Sequence, residues 1–176
     1  FKKDMKIKII SIIFIIIFLF IFFIFYKGLK NSNIYVPKVD IEKNIPSFSA
    51  KIFDNSEIIT SEEIFETNKF YLMNIWASWC GPCRDEHMFL MDLNKKENLE
   101  IIGLNYKDND ESGKSFLKKL GSPYKIILSD KDGTLALEWG AYGVPETFLI
   151  HNKKIIKKIT GPLDKNSFLE IQRLIQ

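Results

Sequence analysis

The chain holds 176 residues, 46% of them hydrophobic, with 25 basic and 22 acidic side chains and a formal net charge of +3. That length suits one domain of ordinary size plus an accessory segment. Residues 1–30 carry six Lys and one Asp, so the rest of the chain stands at −2 and lacks the basic excess of a nucleic-acid binder.

The first element is the run IISIIFIIIFLFIFFIFY, residues 9–26, with Ser11 its one polar interruption. As a helix it reaches about 27 Å, close to the hydrocarbon thickness of a bilayer. It is apolar on every face, which a buried core helix of this length rarely is. The run predicts a single transmembrane anchor. A cleaved signal peptide is the rival, but no A-x-A-like site follows. Lys2, Lys3, Lys6 and Lys8 precede the run, and only Lys27 and Lys30 follow closely. The positive-inside rule then makes residues 1–8 a cytoplasmic tail and puts residues 31–176 outside. That space is oxidising and permits disulfide chemistry. Residues 27–45 are polar, lack a clear period and include Pro37; they read as a linker.

The folded domain is expected over 46–176. Short strand-like runs flank FDNSE within 48–60, and FYLMNIWAS, 70–78, is the apolar run of a central strand. From Arg84 to Lys96 the pattern is helical, with Phe89, Leu90 and Leu93 on one face. EIIGLNYK, 100–107, is a strand; DESGKSFLKKLG, 110–121, a helix closed by Gly121; YKIILS, 124–129, a third strand. After a DKDG turn, TLALEWG forms a short helix. ETFLI, 146–150, and KIIKKIT, 154–160, form a hairpin, and DKNSFLEIQRLI, 164–175, a closing amphipathic helix. The order predicts an α/β domain with a mixed sheet covered by helices on both faces.

The two cysteines, Cys80 and Cys83, lie in ASWCGPCRDEH. As a staple they would close a loop too small to remove much unfolded-state entropy. As half a metal site they would join His87 in a C-x2-C-x3-H spacing, with His151 as a fourth ligand for copper or zinc. His87 itself reads more readily as a solvent-facing helix residue. The redox reading fits the local pattern best. A strand ends at Ser78 and a helix starts near Cys80, which places the Cys80 sulfur by unpaired N–H groups and the positive end of the helix dipole. Both favour the thiolate, the attacking species. Cys83, one turn on and expected to be more buried, resolves the mixed disulfide. Pro82 falls in the first turn, where its missing N–H costs nothing.

WCGPC after an apolar strand, with GVPET near the final hairpin, resembles the thioredoxin superfamily. NIWASWCGPCRDEH (74–87), GLNYKD (103–108), WGAYGVPETFLI (139–150) and the N-terminal run together resemble the DsbE/CcmG family, membrane-anchored thioredoxin-like reductases of cytochrome c maturation. The resemblance implies a thioredoxin-like domain behind one transmembrane helix, single-pass in a bacterial inner membrane with the catalytic domain in the periplasm. It implies a disulfide reductase acting on the heme-binding CxxCH of apocytochrome c or on a maturation protein that holds those cysteines. Its electrons would come from a transmembrane disulfide reductase, and no cofactor or metal is implied. The broader alternative is a general extracytoplasmic disulfide reductase or oxidase.

The resemblance also assigns residues. Pro145 takes the superfamily's cis-proline position, where a cis bond exposes the Val144 backbone to an extended peptide. Glu86 and Glu146 resemble the family's acids, which disfavour the thiolate and move protons. Glu86 reads equally as a helix-start acid. Asn74 stands six positions before Cys80, where plain thioredoxins carry a buried Asp; it cannot accept a proton, and it agrees with the closer family. Gly81-Pro82 is the thioredoxin dipeptide and leans reducing. Trp79 is expected to dock a partner and Trp76 to lie in the core. Arg84, one of only two arginines, fits the family pattern. The 65-position gap from Cys80 to Pro145 exceeds that of plain thioredoxin and implies an insertion around 105–125.

Overall fold

The computed structural model describes residues 2–30, 43–55 and 57–176, in two units, Phe1–Lys38 and Val39–Gln176. In the first unit helix α1 (Lys2–Lys30) outruns the expected span at both ends. Its side chains from Ile12 to Tyr26 are exposed. Among the described residues no helix is long and apolar enough to cross a membrane. The anchor therefore rests on the sequence. Most of the expected linker, residues 31–42, lies outside the described residues, and its two ends correct the expectation. Residues 27–30 continue α1. Asn44 bridges Lys154, Ile45 N donates to Lys153 O at 3.0 Å, and Ile155 N donates to Lys43 O at 2.9 Å. Polar side chains hid a backbone that pairs with a sheet edge.

The second unit opens with a hairpin of β1 (Ser49–Ile52) and β2 (Ile58–Thr60) around the FDNSE turn. Thr60 and Glu63 then cap a one-turn helix, α2 (Ser61–Ile64), too short for its period to show in sequence. There follow β3 (Phe70–Trp76), α3 (Gly81–Leu93), β4 (Leu99–Tyr106), α4 (Asp110–Leu120) and β5 (Ile126–Asp130). The chain closes with α5 (Thr134–Glu138), β6 (Glu146–His151), β7 (Lys154–Thr160) and α6 (Lys165–Leu174). Asn152 and Lys153 both take left-handed backbone, at φ 52° and 59°, which suits the tight β6–β7 turn to the twist of its strands.

All seven strands form one mixed sheet, in the order β2-β1-β5-β4-β3-β6-β7. β3, β4 and β5 run parallel; the outer pairings are antiparallel. Alternation along β3 separates the two cores. Tyr71, Met73 and Ile75 pack with Phe65, Trp139 and Phe148, beneath α2 and α5. Leu72 packs with Leu90, Leu93 and Ile171 of α3 and α6. Trp76, two pleats on from Leu72, joins Cys80, Cys83 and Phe116 of α4. The sheet is thus covered on both faces, as the pattern predicts, and Asn74 lies between Leu72 and Trp76 on the α3 side. The stretch around 105–125, where an insertion is expected, holds the end of β4 and all of α4.

Gly103, opposite Asn74 on β4, lets Trp76 and Tyr124 stack with ring centroids 5.5 Å apart. A Cβ there would stand 2.9 Å from both the Trp76 Nε1 and the Tyr124 ring. Gly103→Ala should therefore cost about 1–3 kcal/mol by overpacking. A urea midpoint equal to the parent's would show that the rings part freely.

Candidate functional site

β3 ends at Trp76, and a short turn, with Cys80 N donating to Ala77 O at 3.2 Å, delivers Cys80 as the N-cap of α3. Cys80 keeps extended backbone (φ −84°, ψ 111°), and its sulfur accepts the Cys83 N–H at 3.1 Å. Pro82 lies within the first turn, as expected. The two cysteines form a disulfide, with their Cα atoms 5.3 Å apart. Cys83 is only marginally the more buried, at 2% exposure against 4% for Cys80.

The turn before Cys80 is held by a buried acid that the sequence reading overlooks. Asp108 accepts the Ser78 N–H at 2.6 Å and the Ser78 hydroxyl at 2.7 Å. It also accepts the Asn105 amide at 3.0 Å and the Asn109 N–H at 2.8 Å. Four donors justify a buried carboxylate. Trp79, well exposed, donates its Nε1 to Lys107 O at 3.1 Å. The loop after β4 therefore clamps WCGPC from one side, and Asp108 belongs to the GLNYKD motif. Arg84 is exposed and lies 4.9 Å over the Phe116 ring of α4.

The Val144–Pro145 bond is cis, as the resemblance implies. Pro145 is buried and its carbonyl accepts Gly161 N at 3.0 Å. Val144 is half-buried and packs against the cluster that holds both cysteines.

Beneath the cysteines lies a buried polar network. Asn74, fully buried, donates from Nδ2 to Glu86 Oε1 at 2.8 Å and to Thr147 Oγ1 at 3.0 Å. Its Oδ1 accepts the Tyr124 hydroxyl at 2.8 Å. Glu86 Oε2 accepts the Leu163 N–H at 2.8 Å. The surface helix-start acid is thus replaced by a carboxyl at 0% exposure. Burial lifts Glu86 from an ordinary 4.5 to about 7, against the Leu163 and Asn74 donors, which favour its charged form. Burial and the Glu86 charge hold the Tyr124 phenol well above its usual range, so it stays a donor. Neither Tyr124 nor Thr147 stands out in sequence, although Thr147 lies in GVPETF.

His87 corrects the solvent-facing expectation. It is buried, its ring meets Phe116 edge-on, and its Nε2 lies 3.0 Å from Gly121 O. A carbonyl only accepts, so Nε2 carries the proton. Burial, helped by the Arg84 charge, pushes its pKa down. His151, the fourth ligand of the metal reading, stacks on Phe70 at the opposite end of β3 from Cys80, and among the described residues no three Cys, His, Asp or Glu are grouped as ligands. Glu146 is also buried, with Oε1 accepting Tyr142 N at 2.9 Å and Oε2 2.6 Å from the Lys158 ammonium.

Residues 41–172 match the Redoxin family. The chain is 41% identical over 117 residues to the thiol:disulfide interchange protein DsbE of Escherichia coli, covering 66% of this chain and 63% of that one. It is 34% identical over 148 residues to DsbE of Allochromatium vinosum, covering 83% and 80% respectively. In structure it is similar to a protein from Chlorobium tepidum proposed to be a DsbE, with a TM-score of 0.65 at 21% identity over 77% of this chain and 95% of the other. That likeness shows the thioredoxin-like fold.

The Glu86 shift carries a pH signature. Between about pH 4.5 and 7 the folded protein holds a proton that the unfolded chain has lost, so stability falls as pH rises through that window, by up to roughly 3 kcal/mol. Glu86→Gln should remove this fall, leaving a variant that gains on the parent from pH 5 to pH 8 in urea unfolding of the oxidised form. His87 acts with the opposite sign and cancels in the comparison. Parallel pH profiles for the two proteins would count against a titrating Glu86.

Proposed function

We propose, from the premise that this chain belongs to the Redoxin family and within it to the DsbE/CcmG group, that it is a thiol:disulfide oxidoreductase working as a disulfide reductase in cytochrome c biogenesis. One juxtaposition carries the reading: a cysteine pair at the N-terminus of α3 faces a cis-proline loop whose Val144 packs against the same cluster. Among the described residues the Val144 amide and carbonyl have no hydrogen-bond partner, so an extended target can pair there as a short added strand.

The chemistry follows from the reduced pair. The Cys80 thiolate attacks one sulfur of the target disulfide; that S–S bond breaks and the target's other sulfur leaves as a thiolate. Cys83 then attacks the Cys80 sulfur, freeing the second target thiol and closing the Cys80–Cys83 bond. Two electrons pass to the target. Cys83 must lose its proton first, and Glu86, three residues on, lies on the same helix face at about 5–6 Å between Cβ atoms. A carboxyl near neutrality suits that transfer. The disulfide-bonded form is the state after one turnover.

The target in this proposal is the heme-binding CxxCH of apocytochrome c, or a maturation protein that holds its cysteines. Such a pair oxidises readily outside the cytoplasm and must be reduced before heme attaches. A transmembrane disulfide reductase returns the electrons. Residues 9–26 anchor the protein in the bacterial inner membrane, with the N-terminus cytoplasmic and the catalytic domain periplasmic; the run's length and the lysine bias support this placement.

Cys80→Ala should abolish reduction of a target disulfide, and Cys83→Ala should accumulate mixed disulfides that dithiothreitol releases. The pair should titrate nearer the thioredoxin end, at about −270 mV, than the oxidant end, at about −120 mV, a gap of roughly 7 kcal/mol. Normal holocytochrome c in a strain carrying both Ala substitutions would sink the role. Deleting residues 1–30 should move the protein from the membrane to the soluble fraction, and retention on the membrane would refute the anchor.

A further inference from the structure

We infer that Lys158 is a positioning residue that fixes the shape of the substrate-facing loop, residues 140–146; the inference rests on the reductase reading above. Lys158 sits on β7 opposite Phe148 of β6, and its side chain is only 8% exposed. Its ammonium lies 2.6 Å from Glu146 Oε2 and donates to Gly140 O at 2.8 Å. The Tyr142 and Phe148 ring centroids stand 4.9 and 5.3 Å away. An ammonium has three donors and no acceptor, and burying one is costly unless it is paired. Here a carboxylate, a carbonyl and two ring faces meet that need.

The partners are not scattered. Gly140 begins the loop and Glu146 ends it, so one cation ties both ends. The second Glu146 oxygen accepts the Tyr142 N–H at 2.9 Å, which ties the middle. Pro145 is held separately, through its carbonyl and Gly161 N. What remains between the ties is Gly143 and Val144, the stretch offered to a target. Tyr142, exposed on the same loop, is steadied by the cation under its ring. Lys158 touches neither sulfur. Its effect is on how well a peptide is received.

The test separates a positioning role from that of a counter-ion. Lys158→Met leaves a buried, unpaired Glu146 and is expected to fold poorly. The double variant Lys158→Met with Glu146→Gln removes both charges and keeps an acceptor for the Tyr142 amide. For reduction of a disulfide-bonded peptide, the double variant should show KM raised about tenfold with kcat within about twofold, because the loss is in peptide placement. Its equilibrium with glutathione should match the parent's. Hydrogen exchange at the Ala141 and Tyr142 amides, both bonded in the parent, should accelerate at least about tenfold, since ties that hold the loop closed are gone. A parental KM with parental exchange in the double variant would reduce Lys158 to a counter-ion and overturn the inference. A parent that reduces no peptide, while exchange still accelerates in the variant, would instead overturn the reductase reading and leave the loop role standing.

Discussion

A carboxyl group buried beneath two sulfurs is the constraint around which this domain is arranged. Glu86 has no water to turn to, and the strand under it supplies one side chain, Asn74. Both N–H groups of this amide donate, and its oxygen accepts one bond. The Tyr124 hydroxyl sets the direction. Held neutral by burial, it donates to the Asn74 oxygen, and the Asn74 NH2 faces Glu86 and Thr147. Reversed, the amide oxygen would meet the ionised form of Glu86 and leave two acceptors in conflict. The Leu163 N–H, from the chain leading into α6, meets the other Glu86 oxygen. One network thus joins β3, α3, β6 and the segments before β5 and α6, directly below the cysteines.

The parts of the fold legible in sequence are those that a periodic pattern or a spacing dictates. β3, α3, α4 and the β6–β7 hairpin follow from apolar periodicity and turn residues, and Cys80 as a helix N-cap follows from the strand–CxxC–helix order. Lys43 to Ile45 was illegible because an edge pairing uses backbone groups, to which side-chain polarity is no guide. His87 departs from the solvent-facing expectation for a different reason. A polar type at a helix position defaults to solvent, but α4 and its C-terminal carbonyl at Gly121 cover this one, and that depends on a contact 34 residues away. Tyr124 and Lys158 fall in the same class: each reaches its partner across the sheet or a loop, in a register that composition does not encode.

The two acids that resemble the family's pair show how far a shared residue type can diverge. Glu86 and Glu146 are equally buried. Glu86 meets only neutral partners: an amide, a backbone N–H and, beyond them, a phenol. Neutral donors soften the cost of charge without cancelling it, so the proton stays exchangeable near neutral pH. Glu146 meets a lysine ammonium at 2.6 Å, and its other oxygen is taken by a backbone amide. With both oxygens engaged in this way, Glu146 serves as part of the framework. The partner, not the acid, decides the outcome. A carboxyl offered dipoles keeps an exchangeable proton near neutral pH, while one offered a cation ties down the loop that carries Val144 to the cysteine cluster.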